Sequence, residues 1–348
     1  MKRPDTLELT HHAQLSLNYL TRMLDSKLEW APYFMPDLEA NPREVSHTRT
    51  DFADQPGGRT EALLLMRKMT GSKEGQDAEA GLKKLLMSYY HDDGLHYHPV
   101  MPWCPAVVGV IHDQAYILDG LTAYYEEGHD PQVKKTADSL IDGLLKLVAY
   151  SAISNVYEPH PEATRNYYFP CDMVTPDGYD FNVRTGRGKE AIFNSCLISP
   201  LMKYFEATGY ERALDLAAGL VNDIVHTTRE IGYDGRFIGH FHAVMWVVSG
   251  ILHYSLVADR PDLTEIAMTT YEWAKRQGSS FGWFPEWVGT KHPRDEKCET
   301  CCITDMIYIA YLLGRHGRDD YWQDVERFTR NHLVESQLKS LPEQEPKP

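Results

Sequence analysis

Apolar positions recur with helical spacing along almost the whole chain. They predict helices near 8–24, 59–71, 76–90, 111–127, 131–150, 188–208, 210–228, 241–258, 262–277, 300–315 and 319–335. Leu118, Leu121 and Tyr125 form one stripe; Leu140, Ile141, Leu144, Leu145 and Val148 form another. Segment 243–257 is apolar on nearly every side, so its helix should be buried all round. Strand signals are few.

The connections fall into two kinds. Thr70-Gly71-Ser72, Gly128-His129-Asp130-Pro131, Thr208-Gly209-Tyr210, Ala258-Asp259-Arg260-Pro261 and His316-Gly317-Arg318-Asp319 are short turns; in most of them Gly ends one helix, and in most Asp, Ser or Pro opens the next. The stretches 25–58, 91–110, 151–187, 229–240 and 278–298 are long, and loops of that length usually carry function. Short turns alternating with long loops predict an all-α ring of helical hairpins, an (α/α) toroid whose long loops share one mouth. An α-solenoid is the structural alternative, but its repeats are usually shorter and more uniform. Eleven predicted helices fall one short of six hairpins, so the ring is expected either incomplete or closed by a helix the pattern does not reveal. The expected organisation is one barrel domain over 1–338 and a polar, Pro-rich flexible tail over 339–348.

Composition narrows the function. The chain has 348 residues, 43% of them hydrophobic and 24% charged, as in ordinary globular proteins. A formal charge of −15 argues against binding nucleic acid, which needs a basic surface. No apolar run reaches membrane-spanning length and Met1–Leu9 has no apolar leader segment. Six cysteines, two of them adjacent, do not make a disulfide framework. A cytoplasmic protein is therefore expected.

The densest chemistry lies in Cys298-Glu299-Thr300-Cys301-Cys302-Ile303-Thr304-Asp305. A helix beginning near Glu299 would put Cys298, Cys301, Cys302 and Asp305 on one face, at its electropositive end. Thiolate and carboxylate donors suit zinc, and a thiol there could also be a nucleophile. Adjacent cysteines can equally be small core residues, although the acidic neighbours do not fit packing. A second cluster is Phe281-Gly282-Trp283-Phe284-Pro285-Glu286-Trp287. A Glu between two Trp in a loop would be desolvated and its pKa raised, as a general acid requires; an exposed Glu in an aromatic turn is the plainer reading. Twenty-one Tyr and seven Trp suit a sugar-binding groove, though aromatics also fill cores. His112-Asp113 opens a helix, where Asp113 is either a cap or a catalytic carboxylate, and Asp180 is a further acid. His96 and His98 project together if their segment is extended. Neither a phosphate-binding glycine loop nor a Gly-x-Ser-x-Gly elbow occurs.

Three segments carry a resemblance. Segment 298–335 resembles the Glu-x-Cys helix, turn and following helix of glycoside hydrolase family 127, the β-L-arabinofuranosidases of the six-hairpin glycosidase superfamily. Segment 239–259 is similar to that family's Gly-His-Ala-Val helix, and 190–209 to its helix ending in Glu-Ala-Thr-Gly. The resemblance implies an (α/α)6 barrel and a retaining exo-glycosidase with zinc held by one Glu and three Cys, one of them the nucleophile. Carried over, Glu299 and Cys301 are ligands, Glu286 is the acid/base, His242 lies near the sugar and Glu190 faces inward. The family's downstream Cys-Cys pair and β-domains have no counterpart here; Cys302 and Cys298 are the local candidates to replace the missing ligands.

The leading reading is thus a hydrolase of terminal glycosidic bonds. Glu286 with Cys301, Cys302 or Asp113 would be catalytic, and Glu299, Cys298, Cys301 and Cys302 would bind zinc. His98, Trp103, His112, Glu190, His240, His242, Trp283 and Trp287 would bind a carbohydrate substrate. A sugar epimerase or polysaccharide lyase using His98, His240 or His242, and a non-catalytic glycan- or partner-binding barrel, are the alternatives.

Overall fold

The computed structural model describes residues 7–52, 54–150, 166–180, 190–228, 230–290 and 297–340. Its helices are α1 (Leu9–Arg22), α2 (Asp54–Thr70), α3 (Gln76–Leu86), α4 (Ile111–Gly128), α5 (Pro131–Leu147), α6 (Glu190–Ser195), α7 (Ile198–Thr208), α8 (Glu211–Asn222), α9 (Phe241–Val257), α10 (Pro261–Lys275), α11 (Thr300–Arg315) and α12 (Trp322–Phe328). Strands among the described residues are only two or three residues long. No helix among them is long and apolar enough to cross a membrane.

The chain gathers into two compact units. One holds the described residues of Met1–Gly143, Met173–Val183 and Gln337–Pro348, the other those of Leu144–Asp172 and Arg184–Ser336.

In the first unit α2 lies across α4 at backbone contact. A Cβ at Gly57 would sit 1.9 Å from the Tyr116 carbonyl oxygen, and one at Gly120 would sit 2.9 Å from Gly57 Cα. Leu17 and Leu20 of α1 pack on Leu63 of α2. Part of the long connection returns here, with Met173–Thr175 pairing antiparallel to both Gly109–Val110 and Gly178–Tyr179.

In the second unit α9 is the central element. It is buried over most of its surface, as its all-round apolar sequence requires, and packs against α7, α10 and α11. Gly250 lets α7 close on it, since a Cβ there would lie 2.9 Å from the Ser199 nitrogen. The short turn before α8 uses Gly209 at φ 68°, whose N–H caps the Phe205 carbonyl at 2.7 Å.

Three sequence expectations are corrected. The helix expected over 188–208 is two, α6 and α7, because the Pro200 ring would crowd the Cys196 carbonyl in an unbroken helix. α2 begins at Asp54, not 59: Pro56 falls in the first turn, where no amide N–H is needed. The last expected helix, 319–335, is a 3-10 turn, α12 and a π turn in succession.

The Gly57 crossing gives a paired test. Gly57→Ala should destabilise the protein by about 3 kcal/mol, at the upper end for overpacking. Gly58→Ala, whose Cβ would meet only the Tyr116 ring at 3.3 Å, should stay within about 1 kcal/mol of the parent because the gain in helix propensity offsets the crowding. Urea unfolding of both variants measures the difference, and equal losses would refute the close crossing.

Candidate active site

The second unit brings two helix N-termini together, and one extended segment pins them. His240 precedes α9 and Glu299 precedes α11, both in extended backbone. Between them runs 284–288. Glu286 N–H donates to the Lys297 carbonyl at 2.7 Å, and its own carbonyl accepts from Phe241 N–H at 2.9 Å. His240 is paired across from Trp287, and Pro285 across from Cys298. Phe284 anchors the segment, fully buried against Phe241 and Phe328.

The side chains follow from that frame. His240, Glu286 and Glu299 each place a nitrogen or oxygen within 4.8 Å of the others. Glu299, Cys301 and Cys302 form a second such group, sharing Glu299. Glu286 is buried, and the Trp287 indole N–H donates to its Oε1 at 3.3 Å. The His240 ring sits 5.1 Å from Trp287 and 6.1 Å from Phe193. His242, in the first turn of α9, meets Asp305 of α11 at 2.7 Å through Nδ1 and hydrogen-bonds Cys301.

Charge at the site is strongly organised. His240 Nδ1 accepts from Ala243 N–H at 3.3 Å, so the ring proton sits on Nε2, which faces Glu299 Oε2 at 2.9 Å. This contact holds the Glu299 carboxyl down to about 2. Burial alone would lower His242, but the Asp305 carboxylate outweighs it and holds the imidazole well above its ordinary value. Position at a helix N-terminus suggests lowered thiol pKa values. Instead, the hydrogen bond with Cys302, and then burial, push Cys301 far up, and burial pushes Cys298 up.

The two groups differ in what they can hold. His240 carries its proton on the nitrogen that faces Glu299, so its group suits proton transfer better than metal binding. Glu299, Cys301 and Cys302 are a carboxylate and two thiols, a donor set that fits zinc. Glu299 Oε2 lies 2.9 Å from His240 Nε2, which keeps the carboxylate ionised, as a ligand oxygen must be. A bound cation would also invert the thiol electrostatics, because a coordinating thiol is deprotonated outright.

Cys298 is not in this group. α11 starts at Thr300, so Cys298 lies in the bridge to Pro285 and the expected one-face alignment with Cys301, Cys302 and Asp305 does not form. Trp283 is half-buried in the turn before the segment, its backbone N–H on Ser279 Oγ. Glu190 opens α6, but its side chain lies outside the described residues. Sequence reasoning missed Phe193 and Trp246; the latter stacks on His242 at 5.7 Å and was legible as its i+4 neighbour on α9.

His98, Trp103, His112 and Asp113 belong to the first unit. The Trp103 ring stacks on His47 at 4.8 Å and its indole N–H donates to the Thr48 carbonyl, which ties two loops together. Asp113 is buried in the first turn of α4, its Oδ1 3.4 Å from His112 Nδ1, and makes no side-chain cap. Asp180 is half-buried, its backbone N–H on the Met173 carbonyl. His98 Nδ1 contacts the Pro99 carbonyl, while its Nε2 and both ring nitrogens of His96 are buried without hydrogen bonds.

Comparison with solved structures identifies the class of fold as the (α/α)6 toroid. A glycoside hydrolase family 127 β-arabinofuranosidase superposes with TM-score 0.56 and 15% identity, over 94% of this chain and 49% of that one. A D-mannose isomerase gives TM-score 0.64 and 11% identity, over 94% and 87%. An unsaturated glucuronyl hydrolase from Streptococcus agalactiae gives 0.62 and 11%, over 99% and 84%. The chain spans about half the length of the family 127 structure it matches. No protein-family model and no curated protein sequence matches it.

The buried histidines of the first unit set a pH dependence. Burial lowers His96 from 6.5 to about 3 and lowers His98 as well. A depressed folded value means stability that is full above the unfolded pKa and lost as pH falls toward the folded one. His96→Phe keeps a ring against Tyr89 and Tyr90 and removes both unpartnered nitrogens. Between about pH 6.5 and 4 its stability should fall less steeply than the parent's, by about 1.4 kcal/mol per pH unit. Urea unfolding across that range measures the slope; parallel curves would show that His96 is not the titrating group.

Proposed function

We propose that the protein is a carbohydrate-active enzyme that hydrolyses a terminal glycosidic bond. The observation that carries this reading is the meeting of Glu286, Glu299 and His240 within 4.8 Å, beside the half-buried Trp287 ring. Glu299 is held as an anion by His240, so we assign the acid/base role to Glu286. The Trp287 indole N–H holds one Glu286 oxygen in place. Glu286 protonates the leaving oxygen as the bond to the anomeric carbon breaks, then takes a proton from the water that completes hydrolysis. Trp287 would stack on the apolar side of the sugar ring.

The second group is a cysteine sulfur, Cys301 or Cys302. Glu299, Cys301 and Cys302 would hold zinc with a fourth position left open. The ion would keep the thiols deprotonated and so supply a sulfur nucleophile at neutral pH. The likeness to a β-arabinofuranosidase supports a terminal arabinofuranoside as substrate.

A second reading, sugar isomerisation or epimerisation, is favoured by His98, whose buried Nε2 lacks a partner and whose pKa is lowered by burial, so it is a free base near neutral pH. The likeness to a D-mannose isomerase supports it too.

Glu286→Gln separates the two. On a panel of aryl glycosides that includes arabinofuranosides, it should lower kcat by about 10² to 10⁴ with little change in KM. The parent protein should carry one zinc per chain by elemental analysis, and Cys301→Ser should lose it. Full turnover in Glu286→Gln, combined with loss in His98→Asn, would establish the second reading instead.

A further inference from the structure

We propose that Asp305 and His242 are a positioning pair that fixes the Cys301 sulfur for ion binding, an inference that rests on the zinc reading above. Three elements of geometry support it. Cys301 and Asp305 are four residues apart on α11, so they stand one above the other on one face. His242 comes from α9 and bridges them: Nδ1–H donates to Asp305 Oδ2 at 2.7 Å, which leaves Nε2 to meet Cys301. The imidazole also has Trp246 stacked on one face at 5.7 Å with an interplanar angle of 19°, and His240 edge-on at 5.9 Å.

The His242 ring is therefore restrained by one hydrogen bond and two ring contacts. The side-chain exposures of His242 and Asp305 are 19% and 11%, so solvent competes little for either bond. A ring so placed would restrain the Cys301 sulfur beside Glu299 and Cys302. Outer groups of this kind orient metal ligands, and their loss typically weakens metal binding about 10- to 100-fold. The arrangement also gives Asp305 a task that neither core filling nor helix capping explains, since it is buried in the second turn of α11 with its carboxylate committed to His242.

The test uses the full chain and zinc chloride in competition with a chromophoric chelator. The parent should bind one zinc. Asp305→Asn should still bind one but about 10- to 100-fold more weakly, and Asp305→Glu, which keeps the carboxylate, should recover part of the loss. Unchanged affinity in Asp305→Asn would overturn the positioning role while leaving the zinc reading intact. Loss of stoichiometric binding in His242→Gln, with Asp305→Asn unaffected, would make His242 itself a ligand and overturn it too. A second measurement needs no metal: in ¹⁵N-histidine NMR of the chelator-treated protein, Cys301→Ser should shift the His242 Nε2 signal and Asp305→Asn the Nδ1 signal. If the parent binds no zinc, the zinc reading fails. The NMR result then decides the pair by itself, and a His242 resonance indifferent to both substitutions would overturn it.

Discussion

The site depends on two backbone hydrogen bonds at one residue. Glu286 donates to the Lys297 carbonyl and accepts from Phe241 N–H, so its peptide groups link the strand that leads into α11 to the strand that leads into α9. The first amide groups of a helix have no partner within the helix, and the chain just before a helix is otherwise free to choose its angle of approach. Here the same short extended segment fixes the approach to α9 and to α11. The carboxylate on that segment is thereby set against the first turns of two helices, with Phe284 locking its register in the core.

The electrostatics follow from the same convergence. Two helix N-termini directed at one place make it electropositive and favour anions there. Glu299 answers that field and is further held by His240, and the Asp305 carboxylate is answered by His242. The Cys301 thiol is the group left unsatisfied by this balance, pushed away from its charged form by the hydrogen bond with Cys302 and then by burial. A divalent cation on Glu299, Cys301 and Cys302, as proposed above, would resolve it, because it would supply the positive charge that a coordinating thiol needs in order to lose its proton.

How much of this was legible depends on the range of the interaction. The helices follow from local periodicity, and α9 could be recognised as central from its apolar circumference alone. Boundaries went wrong where Pro acts by position: Pro200 breaks a helix, whereas Pro56 sits harmlessly in a first turn. Glu286 and the 298–305 segment were visible because unusual residues are adjacent in sequence there. Their meeting was not, since the strand pairs that join them are two residues long and carry no alternating pattern. The Cys298 expectation failed for a related reason. A helix that starts one residue later leaves Cys298 in extended backbone instead of on the helical face, and a spacing rule holds only inside the helix. The Asp305–His242 bond joins residues 63 apart, and no local rule reaches that far.

The two histidine sets illustrate why burial alone does not identify a site. His96 and His98 are as buried as any residue of the candidate centre, yet their surroundings are Tyr89, Tyr90 and Phe52, which offer ring edges and leave three ring nitrogens unbonded. His240 and His242 are each engaged at both nitrogens, with a backbone N–H, two carboxylates and a thiol as partners. The first pair costs stability and can act only as free bases. The second forms a connected network in which each proton has an assigned place, and ordered proton placement is what the acid/base role proposed for Glu286 would require. It is the completeness of that network, more than the presence of histidines or cysteines, that favours the second unit as the seat of chemistry.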